Sequence, residues 1–135
     1  MKNLGERQVM IDCDVLVADG GTRTASISGA YVALEIAVQG LLDKGLIKET
    51  PLKERMGALS VGIDKEGLII ADLNYDEDSS CEADVNIVMT ETGKFIEVQG
   101  TAEGDPFSRE QLNALLDCSK IALEKVFTAQ KNAVK

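Results

Sequence analysis

From residue 56 to residue 99 the chain divides into four short strand-like segments joined by very brief connections, and this pattern constrains the fold more than any other feature. The first segment runs from Met56 to Ile63 and ends in Asp64-Lys65-Glu66-Gly67, a turn by composition. The second covers Leu68 to Tyr75 and the third Asp84 to Thr90, with an acidic connection, Asp76 to Glu82, between them. Thr92-Gly93 turns the chain into the fourth, Lys94 to Gln99. Parallel strands need a crossover of a dozen or more residues, so connections of this length predict an antiparallel meander.

Helical patterning flanks this region. Between about Thr24 and Lys44, Ile27, Tyr31, Leu34, Val38, Leu41 and Leu42 recur at helical spacing, with Gly45 placed to stop the helix and Pro51 beyond it. Ser108 and Gln111 fit a capping box, and Phe107 with Leu112 fits the staple that accompanies one. Leu112, Leu115, Leu116, Ala122, Leu123, Val126 and Phe127 then form an apolar stripe. The predicted class is α+β, with helices packed on a largely antiparallel sheet. One segment fits less easily. Residues 9–17 alternate like a half-buried strand, with Val9, Ile11, Cys13, Val15 and Val17 on one face. A lone strand and helix cannot close a layer, so they either pack onto the later sheet or lack their partners.

Bulk properties narrow the chemistry. The 135 residues suit one compact domain, or one and a half small ones, and 44% apolar content is enough for a core. Aromatics are 4% and Trp is absent, so aliphatic side chains must fill that core. No apolar run is read as reaching the ~18 residues of a bilayer span, and Met1 to Arg7 does not resemble a signal peptide, so a cytoplasmic protein is expected. Cys13, Cys81 and Cys118 are far apart and form no CxxC pair, which argues for reduced packing residues rather than zinc or disulfides. There is no histidine, the commonest general base and transition-metal ligand. A net charge of −9 argues against a broad nucleic-acid surface, while leaving room for a local Arg or Lys site.

Three stretches carry possible chemistry. At Gly20-Gly21-Thr22-Arg23-Thr24 a glycine pair precedes a helix. Glycines allow a sharp turn and close ligand approach, the helix start offers unpaired amides, Thr22 and Thr24 add hydroxyls, and Arg23 adds a fork matched to phosphate. The spacing is neither a Walker A loop nor GxGxxG. An anion site and a plain glycine turn with an N-cap Thr are equally compatible with the pattern. The second stretch holds Asp72, Asp76, Glu77, Asp78, Glu82 and Asp84. Charge count alone favours a solvated acidic loop. Were two carboxylates to converge on Mg²⁺ or Mn²⁺ across a hairpin mouth, Asp78 and Asp84 are the pair best placed. The third, Glu97 to Pro106, reads as a polar loop leading into the last helix. A phosphate cradle and a carboxylate pair without histidine suit phosphoryl transfer, in which positioning and charge neutralisation dominate.

The residues themselves carry a resemblance. Leu4-Gly5-Glu6-Arg7, Ile11-Asp12-Cys13-Asp14-Val15-Leu16 and Ala18 through Ile27 closely resemble the ribonuclease PH family. So do Ser60-Val61-Gly62-Ile63, Tyr75 through Ser79, Asp84-Val85-Asn86, Val88-Met89-Thr90 and Glu97 through Gly104, in the family's order. The resemblance covers essentially the whole chain and implies a ribonuclease PH-like fold of the ribosomal protein S5 domain 2-like type. It implies a phosphate-dependent 3′-to-5′ exoribonuclease, a tRNA nucleotidyltransferase, in which inorganic phosphate is co-substrate and attacks the terminal phosphodiester of tRNA precursors. Carried over position by position, Gly21, Thr22 and Arg23 would hold that phosphate. Asp78 and Asp84 match the family's catalytic aspartates, placed to bind Mg²⁺ or Mn²⁺ or to assist proton transfer. Cys81 and Val85 stand where the family usually has alanine and methionine.

Length is the main departure. Family members are roughly twice as long and assemble as ring-shaped homohexamers, with a basic first half that supplies another phosphate-contacting arginine and much of the tRNA surface. The chain is therefore expected to be a C-terminal portion, with residues 1–50 ending a first domain and residues 51–135 forming a second. Alone it is expected to be weakly active or inactive. The alternative is a non-catalytic ring or assembly module that binds phosphate or RNA weakly. No membrane partner is expected.

Overall fold

The computed structural model describes residues 2–135; the reading of the N-terminus above includes Met1, which lies outside them. The element order is α1 (Thr22–Asp43), β1 (Met56–Ile63), β2 (Ile69–Ala71), α2 (Tyr75–Ser80), β3 (Ala83–Thr90), β4 (Phe95–Ala102) and α3 (Arg109–Ala133), after a short 3₁₀ turn at Lys2–Leu4. The four strands form one antiparallel sheet in the order β2-β1-β3-β4. The α+β class expected from the sequence is therefore correct, and so is antiparallel pairing throughout.

The meander is not. β2 pairs on one side of β1, and the chain then passes through α2 to place β3 on the other side. β2 is also much shorter than Leu68 to Tyr75, because Asp72 takes φ 62 and turns the backbone out of the sheet. α2 replaces the expected acidic loop. Asn74 accepts from the Glu77 amide at 2.9 Å while Glu77 accepts from the Asn74 amide at 3.0 Å, a closed capping box. Asp76, Glu77 and Asp78 fall in the first turn, where the partial positive charge of the helix start favours them.

β1 and β3 are central and divide the sheet into two unlike faces. Leu59, Val61 and Ile63 of β1 and Ala83, Val85, Ile87 and Met89 of β3 meet Leu115, Leu123 and Phe127 of α3 in the core. Val61, Val85, Ile87, Leu115 and Leu123 are fully inaccessible to solvent. The Ser108–Gln111 capping box and the apolar stripe of α3 form as the sequence predicts.

α1 takes a different place. Because β2 ends early, the outer edge of β1 is open at Ala58, and α1 seals it. The Ser28 hydroxyl accepts from the Ala58 amide at 2.9 Å and donates to the Ala58 carbonyl at 3.0 Å. Gln130 of α3 donates to both Ser28 O and Met56 O, at 2.9 and 3.0 Å. The buried face of α1 is narrow, with Thr24, Tyr31 and Val38 spaced seven apart. At 22 residues α1 is long and apolar enough to cross a membrane by length and composition alone, which the sequence reading did not anticipate.

The strand expected over residues 9–17 does not form. Those residues pair with no strand, and Met10, Ile11, Val15, Leu16 and Val17 are exposed. Alternation marks a segment that could fit a sheet, but extended backbone needs a ladder partner to become one.

Ser28→Ala leaves the Ala58 amide and carbonyl unpaired at a buried edge, so it should cost about 2–3 kcal/mol, visible as a lower urea midpoint with unchanged slope. A loss under about 0.5 kcal/mol would mean that water satisfies this edge and α1 does not seal it.

Candidate functional site

Gly20 and Gly21 make the turn into α1, with φ 77 and 56. At Gly20 the lack of a side chain is obligatory, since a Cβ would lie 2.5 Å from Leu73 O and 2.7 Å from Asn74 C. The Asp19 carboxylate also accepts from the Tyr75 amide at 3.2 Å. The glycine turn is thus pressed onto the start of α2, the helix that carries Asp78.

At Gly21 the chain enters the helix without a side-chain cap and without an acid in the first turn. The first intrahelical bond runs from Ala25 N to Gly21 O at 2.9 Å. Earlier amides of the turn have no acceptor within the helix, which is the usual source of an anion-binding helix start. Thr24, expected to offer its hydroxyl outward, is buried and donates to Gly21 O at 2.9 Å. It closes the turn instead. Thr22 is exposed beside it.

Arg23 is already engaged. Its guanidinium donates to both carboxylate oxygens of Glu97, at 2.7 and 3.0 Å, on a half-exposed surface. This bidentate pair raises the Arg23 pKa and holds the Glu97 carboxyl below its ordinary range, chiefly through the hydrogen bonds. Both groups are solvent-screened, so the pair orients Arg23 more than it stabilises the fold.

The remaining residues share the sheet face opposite the α3 core. Register places Ser60, Asn86 and Gln99 in one cross-strand row, Gly62, Asp84 and Thr101 in the next, and Ala58, Val88 and Glu97 on the other side. Residues opposite one another on neighbouring strands project to the same side. This polar face is bordered by the glycine turn and α2. Burial raises the Asp84 pKa above its ordinary value, and the charges of Asp78 and then Glu103 raise it further. Asp78 and Asp84 are therefore close enough to repel one another. They do not face each other across a hairpin, as the sequence suggested; one lies on α2 and the other at the start of β3. Among the described residues no group of three or more acidic, Cys or His side chains is arranged to hold a metal. A divalent cation would need oxygens from a second molecule as well as these two carboxylates.

Ser60 was not among the site residues the sequence singled out. It is a single hydroxyl in the apolar run Met56 to Ile63, 5% exposed, and its Oγ has no hydrogen-bond partner. That oxygen lies 3.7 Å from the position a Gly21 Cβ would occupy. An unsatisfied buried hydroxyl costs roughly 1–3 kcal/mol, so its presence here needs a reason. Glu97 was read both as part of the fourth strand, Lys94 to Gln99, and as the start of a polar loop; β4 in fact extends through Ala102 and sets its side chain on the same face as Asp84. A period of two across residues 95–102 was the missed signal.

Residues 55–122 match the model of the 3′ exoribonuclease family, domain 2. The chain belongs to the ribonuclease PH family of 3′ exoribonucleases. The chain is 52% identical over 131 residues to ribonuclease PH of Bacillus pumilus, covering 97% of this chain and 54% of that protein. It is 52% identical over 134 residues to ribonuclease PH of Neisseria meningitidis, covering 99% of this chain and 55% of that protein. The chain thus spans about half the length of the curated relatives it matches. A solved structure of rice Rrp46 has the same fold at TM-score 0.67 and 18% identity, over 88% of this chain and 50% of that one.

Two tests follow from this packing. Gly20→Ala drives a methyl into the backbone at Leu73–Asn74 and should cost on the order of 3 kcal/mol or more in urea unfolding; a loss of about 1 kcal/mol or less would mean that the turn is not pressed on α2. Asp84→Asn should raise the melting temperature at pH 7. The carboxyl's raised pKa makes its charged form a burden on the fold, so the gain is full above that raised value and absent below the ordinary 3.8. An equal gain at pH 3 and pH 7 would rule this out.

Proposed function

We propose that the chain supplies the phosphate-holding turn and the acidic pair of a phosphorolytic 3′-to-5′ exoribonuclease. The observation that carries the proposal is the close approach of Gly20 to the Leu73–Asn74 backbone, because it packs the proposed anion turn directly against the start of the helix that carries Asp78. Gly21 and Thr22 hold inorganic phosphate through the uncapped helix start, and Arg23 adds charge from a position fixed by Glu97. An oxygen of that phosphate attacks the phosphorus of the 3′-terminal phosphodiester. The bond to the preceding nucleotide's 3′ oxygen breaks, that oxygen takes a proton, and a nucleoside 5′-diphosphate leaves. No side-chain nucleophile is needed, in keeping with a chain that has no histidine.

Asp78 and Asp84 are the residues that would hold Mg²⁺ or Mn²⁺. Their mutual repulsion and oxygen donors suit a hard cation completed by phosphate oxygens and water. When bound, such a cation neutralises charge on the transferring phosphoryl group. The raised pKa of Asp84 also fits a carboxyl that exchanges a proton with the departing 3′ oxygen.

We take the substrate to be the 3′ ends of tRNA precursors, the setting the cytoplasm and the working assembly a homohexameric ring. Residues 1–50 close a first domain whose remainder contributes most of the RNA surface, and residues 51–135 make the second. A second reading, a non-catalytic assembly module with weak phosphate or RNA binding, is favoured for the isolated chain by its matching about half of each relative.

The 135-residue chain and a chimera completed with the other half of the Bacillus pumilus relative should be compared on a 3′-extended tRNA. The chimera should release nucleoside diphosphates only with phosphate, and the chain alone should be slow or inactive. In the chimera Arg23→Ala and Asp78→Ala should each lower turnover by about 100-fold or more while the protein stays folded. Normal turnover in either variant would refute the site.

A further inference from the structure

We infer that the Ser60 hydroxyl is a further ligand of the anion held at the Gly21–Arg23 turn, donating from beneath the helix start to the inner side of the bound phosphate. The inference rests on the phosphate-site reading above. Ser60 stands on the central strand β1, on the polar face of the sheet, in the row that contains Asn86 and Gln99 and next to the row of Asp84. It therefore lies between the two halves of the proposed site, the anion turn and the acids.

Three observations converge on the hydroxyl. Its oxygen is buried and makes no hydrogen bond, although backbone bonds are satisfied around it, as where Ser60 O accepts from the Asp72 amide at 2.7 Å. It lies 3.7 Å from where a Gly21 Cβ would be, so a side chain at Gly21 would fill the space between the hydroxyl and the helix start. Thr24, the nearer hydroxyl, is already committed to Gly21 O and is not available as an outward donor. The starts of α2 and α3, by contrast, are each closed by a capping box. Among the described helix starts, only α1 brings unpaired amides and an unpaired buried hydroxyl together. A tetrahedral oxyanion offers several acceptor oxygens at once, which is what amides and a hydroxyl approaching from different sides require.

The test is a titration of the 135-residue chain with inorganic phosphate, followed by amide shifts of Gly21 and Thr22, the ¹³Cβ shift of Ser60 and the melting temperature. In the wild type the Ser60 ¹³Cβ should move with the same midpoint as the Thr22 amide, and phosphate should raise the melting temperature. Ser60→Ala should weaken phosphate about tenfold and shrink the phosphate-induced rise, while its melting temperature without phosphate equals or exceeds that of the wild type, since an unpaired polar atom has been removed. Sulfate in place of phosphate should move the same three residues. If the wild type binds phosphate but Ser60 does not respond, or Ser60→Ala binds it equally well, the role of Ser60 is overturned and the turn stands. If the wild type does not bind phosphate at the turn, both readings fall together. Should Ser60→Ala unfold, the wild-type Ser60 shift alone decides.

Discussion

The open edge of β1 is the constraint on which the rest of the structure depends. β1 is the only strand bracketed by β2 and β3 among the described residues, yet β2 pairs with it at Val61–Ile63 alone. Below that point the Ala58 amide and carbonyl face outward at a buried edge and need partners. Ser28 supplies both, and Gln130 ties the same spot to α3. This fixes where α1 lies, and therefore where its first turn meets the sheet. The glycine turn, Ser60 and α2 come together because a helix has taken the place of missing strand.

Legibility from the sequence followed how local each interaction is. β1 was read with the bounds Met56–Ile63, and the start of α3 was read from its capping box, because a short apolar run closed by a turn and a box of four residues are local events. The order of the sheet was not, since nothing in Asp76 to Glu82 says whether β3 returns beside β2 or crosses to the far side of β1. α2 escaped notice because six residues carry no helical period; its signal was Asn74 with Glu77, the same box recognised at Ser108 and Gln111. Residues 9–17 show the reverse failure. Their alternation is clear, but a strand exists only with a neighbour, and none of the described strands offers its edge there.

The candidate site was legible in part. Gly21, Thr22, Arg23, Asp78 and Asp84 were named from motifs, and the structure brings the turn against α2 and Asp84 into the field of Asp78. Ser60 and Glu97 lie in stretches that carry the family resemblance, but neither was singled out there as a site residue. Their placement comes from register, which sets Asn86 and Gln99 beside Ser60 and Glu97 next to Val88, and register is decided by the whole sheet.

What distinguishes this corner of the molecule is an accumulation of local deficits. The start of α1 is uncapped, Ser60 is buried without a partner, Asp84 is desolvated beside another carboxylate, and Gly20 adopts a left-handed conformation under close contact. The starts of α2 and α3 are boxed and the β1 edge is sealed, and the other unpartnered buried atoms, on Glu35, Arg55 and Gln130, belong to side chains that each make further hydrogen bonds. Each deficit has a sign. The amides and the hydroxyl lack acceptors, and the carboxylates lack positive charge. One anion at the turn and one cation at the acids would relieve them together, and each ligand would attract the other. Arg23 is the exception, being already matched by Glu97. Its guanidinium retains further N–H donors after that pair forms, so Glu97 can aim the residue without removing it from the anion's reach. On the proposed reading, this corner of the fold would be arranged around ligands rather than around itself.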